Sequence, residues 1–476
     1  MRPPPTTAEY VEMLAAREPL RLALREDGTA VTYGQLATIL QQCGLELQRL
    51  GVRQGQRVAV AGPGFGIQLA LLLACEAMGV ATASFQAEGD ADAQALFGRV
   101  DWVLAAQPQA PPPGVRFQQI DAAFAQRIGA PLQGAGPVWT PAAPDAPARI
   151  TRTSGSSGAA KFMLLRRRAQ EWWIRTALDT WQWDMDSSTR LLMLSPLVIN
   201  AGFARVCGCL RRGAAVLVGD GSDIEAMDPT HIIGLPLQLE RLLAELPAGY
   251  AAWRPVSVAT FGGTASPALR ERAQALFGGQ IYNRYGSNEA GAICDALDEN
   301  GTGVLGAGVD VRILDANGQD VPAGQDGIIA LRTPSLVEGY LGLPEETAAA
   351  FRDGWFLSGD VGALVGRRLL RLAGRHDDLI AVAGIKVPAA QLEAKIAAQP
   401  AIASCAVLTI NLQGGAVTLG VALVLAPGAT VDEGQAQLQT ALQLVSTTEA
   451  RVLFLSDLPR LPGGKVDRLA LLRLFK

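Results

Sequence analysis

Histidine is nearly absent from this chain: His231 and His376 are the only two in 476 residues. A histidine-based catalytic triad or a multi-histidine metal site therefore has almost no material. Cysteine is sparse as well. Cys43, Cys75, Cys207, Cys209, Cys294 and Cys405 are scattered and form no C-x-x-C pair, which argues against a zinc ribbon or dithiol motif and fits a reducing cytosol. An excess of one charge is also lacking. The 41 Lys plus Arg against 45 Asp plus Glu create no field to attract nucleic acid or an anionic membrane. The most apolar early stretch, Ile67 to Ala74, is followed almost at once by Glu76 and falls far short of the roughly 20 residues that span a bilayer. A buried helix is expected there, with no membrane insertion. The opening, with Pro3-Pro4-Pro5, has neither the apolar segment nor the cleavage site of a secretory signal. No solenoid repeat and no low-complexity segment is present.

What remains is 49% hydrophobic and 18% charged, the composition of a globular chain with a large core. Runs such as Arg57 to Ala61, Val216 to Val218 and His231 to Ile233 are short, β-rich and separated by longer helical patterns, as in repeated βα units. An α/β fold is expected. The Pro- and Ala-rich stretches Pro108 to Gly114 and Pro131 to Pro147 interrupt that pattern without ending it and read as surface loops. A boundary is placed at 374/375, since the residues beyond it alternate short strands and helices as a small α+β unit. The expected domains are thus 1–374 and 375–476.

Gly62-Pro63-Gly64-Phe65-Gly66 follows a strand-like run, but its spacing is not G-x-G-x-x-G and a plain βα turn is the better reading. Arg166-Arg167-Arg168 with Trp172-Trp173 reads as a solvated helix face with buried tryptophans rather than a single-strand-binding patch. His231 lies in an apolar run and is expected to be structural.

The strongest chemical signal is Thr153-Ser154-Gly155-Ser156-Ser157-Gly158-Ala159-Ala160-Lys161. Glycines and hydroxyls allow N–H and O–H groups to converge on phosphate oxygens, and the lysine adds a mobile charge. A flexible Ser/Gly surface loop is the plain alternative. Four further blocks follow: Tyr285-Gly286-Ser287-Asn288-Glu289, Trp355-Phe356-Leu357-Ser358-Gly359-Asp360, Gly374-Arg375-His376-Asp377-Asp378 and Pro462-Gly463-Gly464-Lys465-Val466-Asp467-Arg468. Each is a common peptide alone; their order makes them informative.

Together they resemble the adenylate-forming (AMP-binding) superfamily of acyl-CoA synthetases, peptide-synthetase adenylation domains and luciferases. Val31-Thr32-Tyr33-Gly34 and Gly51 to Val60 are similar to its N-terminal region, so the resemblance covers nearly the whole chain. It implies a large N-terminal domain of βα subdomains with a small, mobile C-terminal domain. It also implies ATP as cosubstrate, Mg²⁺ on Glu289, and Lys161, Glu289 and Lys465 as catalytic residues. The implied nucleotide set is Thr153 to Gly158, Lys161, Gly263, Thr264, Asn283, Arg284, Tyr285, Gly286, Asn288, Asp360 for the ribose, Arg375 and Lys465. Asn288 stands where the family usually has threonine. A second departure precedes Asp457, where Leu444 to Thr448 replaces a proline-bearing segment.

The resemblance implies two half-reactions: a carboxylic acid and MgATP give acyl-AMP, and a thiol of coenzyme A or of a carrier-protein phosphopantetheine then takes the acyl group. Asp377 is the implied hinge, and Gly384, Ile385 and Lys386 the implied thiol channel. Ile199, Asn200, Phe203, Gly234, Leu235, Phe261 and Gly262 are the implied acyl pocket. Leu197 to Phe203 contains no acid to pair with a substrate ammonium, which disfavours amino-acid adenylation. An aryl or aliphatic acid is expected, and Asn200 is placed to hydrogen-bond a ring hydroxyl. A luciferase-like oxidative enzyme and a non-catalytic nucleotide-binding relative are the rival readings.

Overall fold

The computed structural model describes residues 4–154, 160–178, 185–263, 265–375, 379–382, 385–411, 417–443, 450–460 and 466–475. The chain divides into two compact units. The first comprises Met1–Leu297, Gly306–Asp310 and Arg332–Phe356, and the second Asp298–Leu305, Val311–Leu331 and Leu357–Lys476. The 374/375 position falls inside the second.

In the first unit, one six-stranded sheet runs Arg116–Gln119, Trp102–Ala105, Arg57–Ala61, Ala81–Ser84, Pro147–Ser154 and Ala160–Arg166 from edge to edge. All neighbours are parallel except the last pair, an antiparallel hairpin. A second run of strands has the order Gly291–Leu297, Gly278–Ser287, Val256–Thr260, His231–Gly234, Arg190–Met193, Ala215–Val218, Leu22–Glu26 and Thr29–Thr32. Its interior is parallel, with antiparallel hairpins at both ends. The α/β expectation is met, including the strands read at 57–61, 216–218 and 231–233.

The helices packed on these strands are specified locally. Thr32 caps Tyr33–Leu50 in a box with Gln35, and Gly51 ends it in the left-handed conformation at φ 87°, which costs glycine little. The helix Phe65–Ala77 is buried continuously from Leu69 to Ala77, as its apolar run requires. The Gly62–Gly66 segment forms the turn into it. Its first amides, on Phe65 and Gly66, donate to the Glu26 carboxylate, and a Cβ on Gly64 would come within 2.9 Å of that carboxylate.

Helix Arg167–Leu178 buries Trp172 and Trp173 and exposes Arg168, as expected, but Arg167 is buried. Its guanidinium donates to the carbonyls of Ala142 and Pro4, and a planar fork bonded to carbonyls can be buried where a hydrated ammonium could not. His231 sits in its strand bonded to Thr230.

The second unit holds strands in the order Asp310–Leu314, Gly327–Arg332, Trp355–Gly366, Leu369–Arg375 and Thr302–Leu305. Beyond them lie the hairpin Leu379–Val382 with Ile385–Pro388 and a three-stranded sheet of Ile402–Asn411, Val417–Leu425 and Ala450–Phe454. Helices Ala389–Ala397 and Val431–Gln443 cover one core of this sheet through Leu392, Ile396, Leu438 and Leu442, and Arg468–Leu474 covers another through Leu471. Among the described residues no helix is long and apolar enough to cross a membrane. The six cysteines are free.

Glu76 is the anomaly of the first core. Burial, with the nearby Glu171 carboxylate adding to it, raises its carboxyl to about 7 against the pull of Arg211, Arg149 and Arg167. The folded chain thus keeps a proton that the unfolded chain releases at lower pH, so stability falls as pH rises through that interval and is flat above pH 7 or so. Glu76→Gln is expected to be more stable than the parent by about 2 kcal/mol at pH 8 and to converge with it by pH 5, measured by thermal or denaturant unfolding at both pH values.

Candidate active site

The hydroxyl-rich motif interrupts a hairpin. In the arms Pro147–Ser154 and Ala160–Arg166, Thr153 faces Lys161 and Ser154 faces Ala160. Gly155, Ser156, Ser157 and Gly158 lie outside the described residues. Phe162, Met163 and Leu165 anchor the returning arm in the core, leaving Lys161 half-buried near its start. The Lys161 ammonium lies 5.0 Å from the centre of the Tyr340 ring. Tyr340 is brought there by an extended segment beside the same arm, where it bridges Met163 and the Leu341 amide donates to the Phe162 carbonyl at 2.7 Å.

Glu289 occupies the turn between the strands Gly278–Ser287 and Gly291–Leu297. Several bonds fasten this turn. The Ala290 carbonyl accepts the hydroxyls of Thr333 at 2.5 Å and Ser335 at 2.8 Å, and the Glu289 carbonyl accepts the Val337 amide at 3.0 Å. Gly291 adopts φ 88°, and a Cβ there would come within 2.4 Å of the Ser335 hydroxyl, so no other residue fits without rearrangement. The Glu289 side chain is 5% exposed and accepts the Tyr340 hydroxyl at 3.1 Å. Tyr340 therefore joins Lys161, over its face, to Glu289, at its hydroxyl. The motif reading missed it; its one local signal is an aromatic directly after Gly339.

The remaining nucleotide-set residues are placed unequally. Asn288 donates through its amide to the Arg152 carbonyl at 2.8 Å. Asn283 is buried, its side-chain oxygen 3.3 Å from the Thr260 hydroxyl that donates to it. Arg284 is paired with Asp295 at 3.0 Å. Tyr285 and Gly286 lie on the strand leading to the turn, and a Cβ on Gly286 would meet the Gly291 carbonyl at 2.6 Å. Gly263 is exposed; Thr264 lies outside the described residues. Among the described residues no cluster of three or more His, Cys, Asp or Glu side chains gathers to hold a metal.

The segments read as an acyl pocket do converge in part. Gly234-Leu235 and Phe261-Gly262 follow adjacent parallel strands, the Phe261 amide donates to the Gly234 carbonyl, and a Cβ on Gly262 would lie 2.9 Å from Leu235. Ile199 precedes the helix Asn200–Arg211 as its cap. Asn200 is 1% exposed with neither amide atom bonded. Phe203 is a core residue whose ring carries the Arg149 guanidinium at 3.9 Å. Arg149 is buried and donates to Thr82, Ser84 and the Leu197 carbonyl; burial lowers it to about 10.

In the second unit, Asp360 and Arg375 are cross-strand partners, Nη1 to Oδ1 at 3.8 Å. Gly359 turns at φ 73° beside the Arg375 guanidinium. Ser358 donates to the Ile329 carbonyl at 3.0 Å and accepts the Asp360 amide at 3.1 Å, fastening the backbone at Asp360. Asp377, Gly384 and Lys465 lie outside the described residues, as does 444–448. Ile385 and Lys386 are on the return strand of the 379–388 hairpin, Lys386 opposite Ala381. Arg460 bridges Val466, and the Asp467 amide donates to the Pro459 carbonyl at 2.7 Å.

A family model for AMP-binding enzymes matches residues 11–341, more than half of the chain. The chain belongs to the AMP-binding enzyme family. Its similarity to individual members extends over the whole length. A feruloyl-CoA synthase of Amycolatopsis is 28% identical, with 95% of both chains covered. An indoleacetate–CoA ligase of Aromatoleum aromaticum is 29% identical, covering 97% of this chain and 96% of the relative. The crystal structure of a benzoate CoA ligase from Burkholderia xenovorans superposes with a TM-score of 0.83 at 21% identity, covering 98% of this chain and 100% of that one. This member of the family is an AMP-forming acid–thiol ligase.

Tyr340→Phe keeps the ring beneath Lys161 and removes the bond to Glu289. It is expected to lower the rate of acyl-AMP formation about tenfold, the worth of one hydrogen bond to a charged group, whereas Tyr340→Leu, which also removes the ring, is expected to cost more. Acid-dependent pyrophosphate release measures both.

Proposed function

We propose that the chain activates an aryl carboxylic acid with ATP and passes it to the thiol of coenzyme A. The carrying observation is the Lys161–Tyr340–Glu289 arrangement at the hairpin of Thr153 and Lys161. A cation and a buried carboxylate held by one aromatic side chain suit a polyphosphate with its divalent ion.

In the first half-reaction a substrate carboxylate oxygen attacks the α-phosphorus, the bond to the β-phosphate oxygen breaks, and pyrophosphate leaves. Lys161 and the Thr153 hydroxyl hold the leaving phosphates, and Lys465 carries the charge that builds on the α-phosphate. Asp360 accepts the ribose hydroxyls beside Arg375. Mg²⁺ bound through Glu289 would neutralise phosphate charge; one carboxylate completed by phosphate oxygens and water is a usual donor set for it. In the second half-reaction the thiol sulfur attacks the acyl carbon, the bond to AMP breaks, and the thiol proton passes to solvent. The part from 375 onward is taken as a mobile domain turning about Asp377, which withdraws Lys465 and brings the Gly384–Lys386 hairpin to the thiol.

An aryl substrate is supported by the relatives named for ferulate and indoleacetate and by the apolar character of Ile199, Leu235 and Phe261. Asn200, buried with its amide unpaired, is assigned to a polar group on the ring. The six free cysteines fit a reducing cytosol.

A panel of acids scored by acid-dependent pyrophosphate release, with coenzyme A, with a phosphopantetheinylated carrier protein and with neither, tests this reading. Hydroxylated aryl acids with coenzyme A are expected to turn over; no release with any acid overturns the proposal, and turnover with the carrier alone reassigns the thiol. Asn200→Ala is expected to narrow the preference for hydroxylated over plain acids about tenfold. Lys465→Ala is expected to lower acyl-AMP formation a hundredfold or so while leaving thioester formation from supplied acyl-AMP, followed by release of AMP.

A further inference from the structure

The turn between Phe85 and Ala93 is not part of the site described above, yet it grips both arms of the phosphate hairpin. Asp90, with its side chain 3% exposed, takes the Arg152 guanidinium on both carboxylate oxygens at 2.6 and 2.9 Å. The same carboxylate accepts the amides of Gln86 and Asp92, each at 3.1 Å. Burial alone would raise its carboxyl; the Arg152 bonds and these amides outweigh that and hold it below the ordinary aspartate value. Asp92 lies 3.7 Å from Arg152 and accepts the Ala160 amide at 3.4 Å. One short turn thus holds Arg152 on the outgoing arm and Ala160 on the returning arm, immediately beside Thr153 and Lys161.

Arg152 also faces a third segment. Its carbonyl accepts the Asn288 amide, so the residue standing where the family usually has threonine ties the Glu289 turn to the hairpin. The side chain of Arg152 binds the 86–92 turn and its main chain binds the 288–290 turn. Bidentate guanidinium–carboxylate geometry fixes orientation as well as distance. We infer that Arg152 and Asp90 are positioning residues that, with Asn288, hold Thr153, Lys161 and Glu289 in register for the nucleotide phosphates. This rests on the reading of the hairpin as the polyphosphate site.

The test is steady-state ATP–pyrophosphate exchange with the full chain carrying Asp90→Asn, Arg152→Met, both together, and Arg152→Lys. Each single variant is expected to raise the KM for ATP about tenfold, with kcat and the KM for the acid within about twofold. The double variant is expected to be no worse than the poorer single one, since the pair acts as a unit, and lysine at 152, which keeps the charge and loses the fork, is expected to fall between parent and Arg152→Met. An unchanged KM for ATP in both single variants overturns the inference. So do losses that multiply in the double variant, or a joint fall of kcat and melting temperature with the KM for ATP unmoved. Binding of a fluorescent ATP analogue serves for any variant too slow to assay. A parent chain that exchanges normally beside unaffected variants removes the brace alone; a parent that binds no nucleotide removes the brace and the ligase reading together.

Discussion

One aromatic ring sets the character of the site. Tyr340 lies under the ammonium of Lys161 and donates to the carboxylate of Glu289, so one side chain touches a cation and an anion that come from different sheets. The ring thus meets a cation through its face and an anion through its hydroxyl. The bonds from Thr333 and Ser335 to the Ala290 carbonyl and from Val337 to the Glu289 carbonyl fasten this turn, since an acid of this burial keeps its place only if its backbone cannot yield.

The scaffold explains why the residues can be exact in position while lying far apart in sequence. The hairpin that carries Lys161 closes the six-stranded sheet, and the turn that carries Glu289 joins two antiparallel strands of the other. Both side chains stand where the chain reverses between antiparallel strands. In the second unit Asp360 and Arg375 stand on facing strands, with the Asp360 backbone amide held by Ser358.

Much of this was legible in the residues. The alternation of short β-rich runs with helical stretches gave the α/β class, the apolar run after Ile67 gave a buried helix, and the ordered blocks gave the AMP-binding family. What was not legible depends on partners distant in sequence. Arg149 stands in a run that reads correctly as a strand, but nothing local says that it will be buried over Phe203 with carbonyl and hydroxyl partners. Arg167 escaped for the same reason. Arg284 matches a motif position yet is met by Asp295, and Tyr340 belongs to no block at all. Motifs report which atoms a ligand needs; they are silent on the side chains that keep those atoms still.

The Gly62–Gly66 turn carries a final consequence. It has the glycines and the helix start that anion sites in α/β sheets commonly exploit, and Glu26 already fills it. An internal carboxylate there offsets the positive end of the helix dipole and repels any phosphate that approaches. The chain has in effect closed this anion hole with its own side chain.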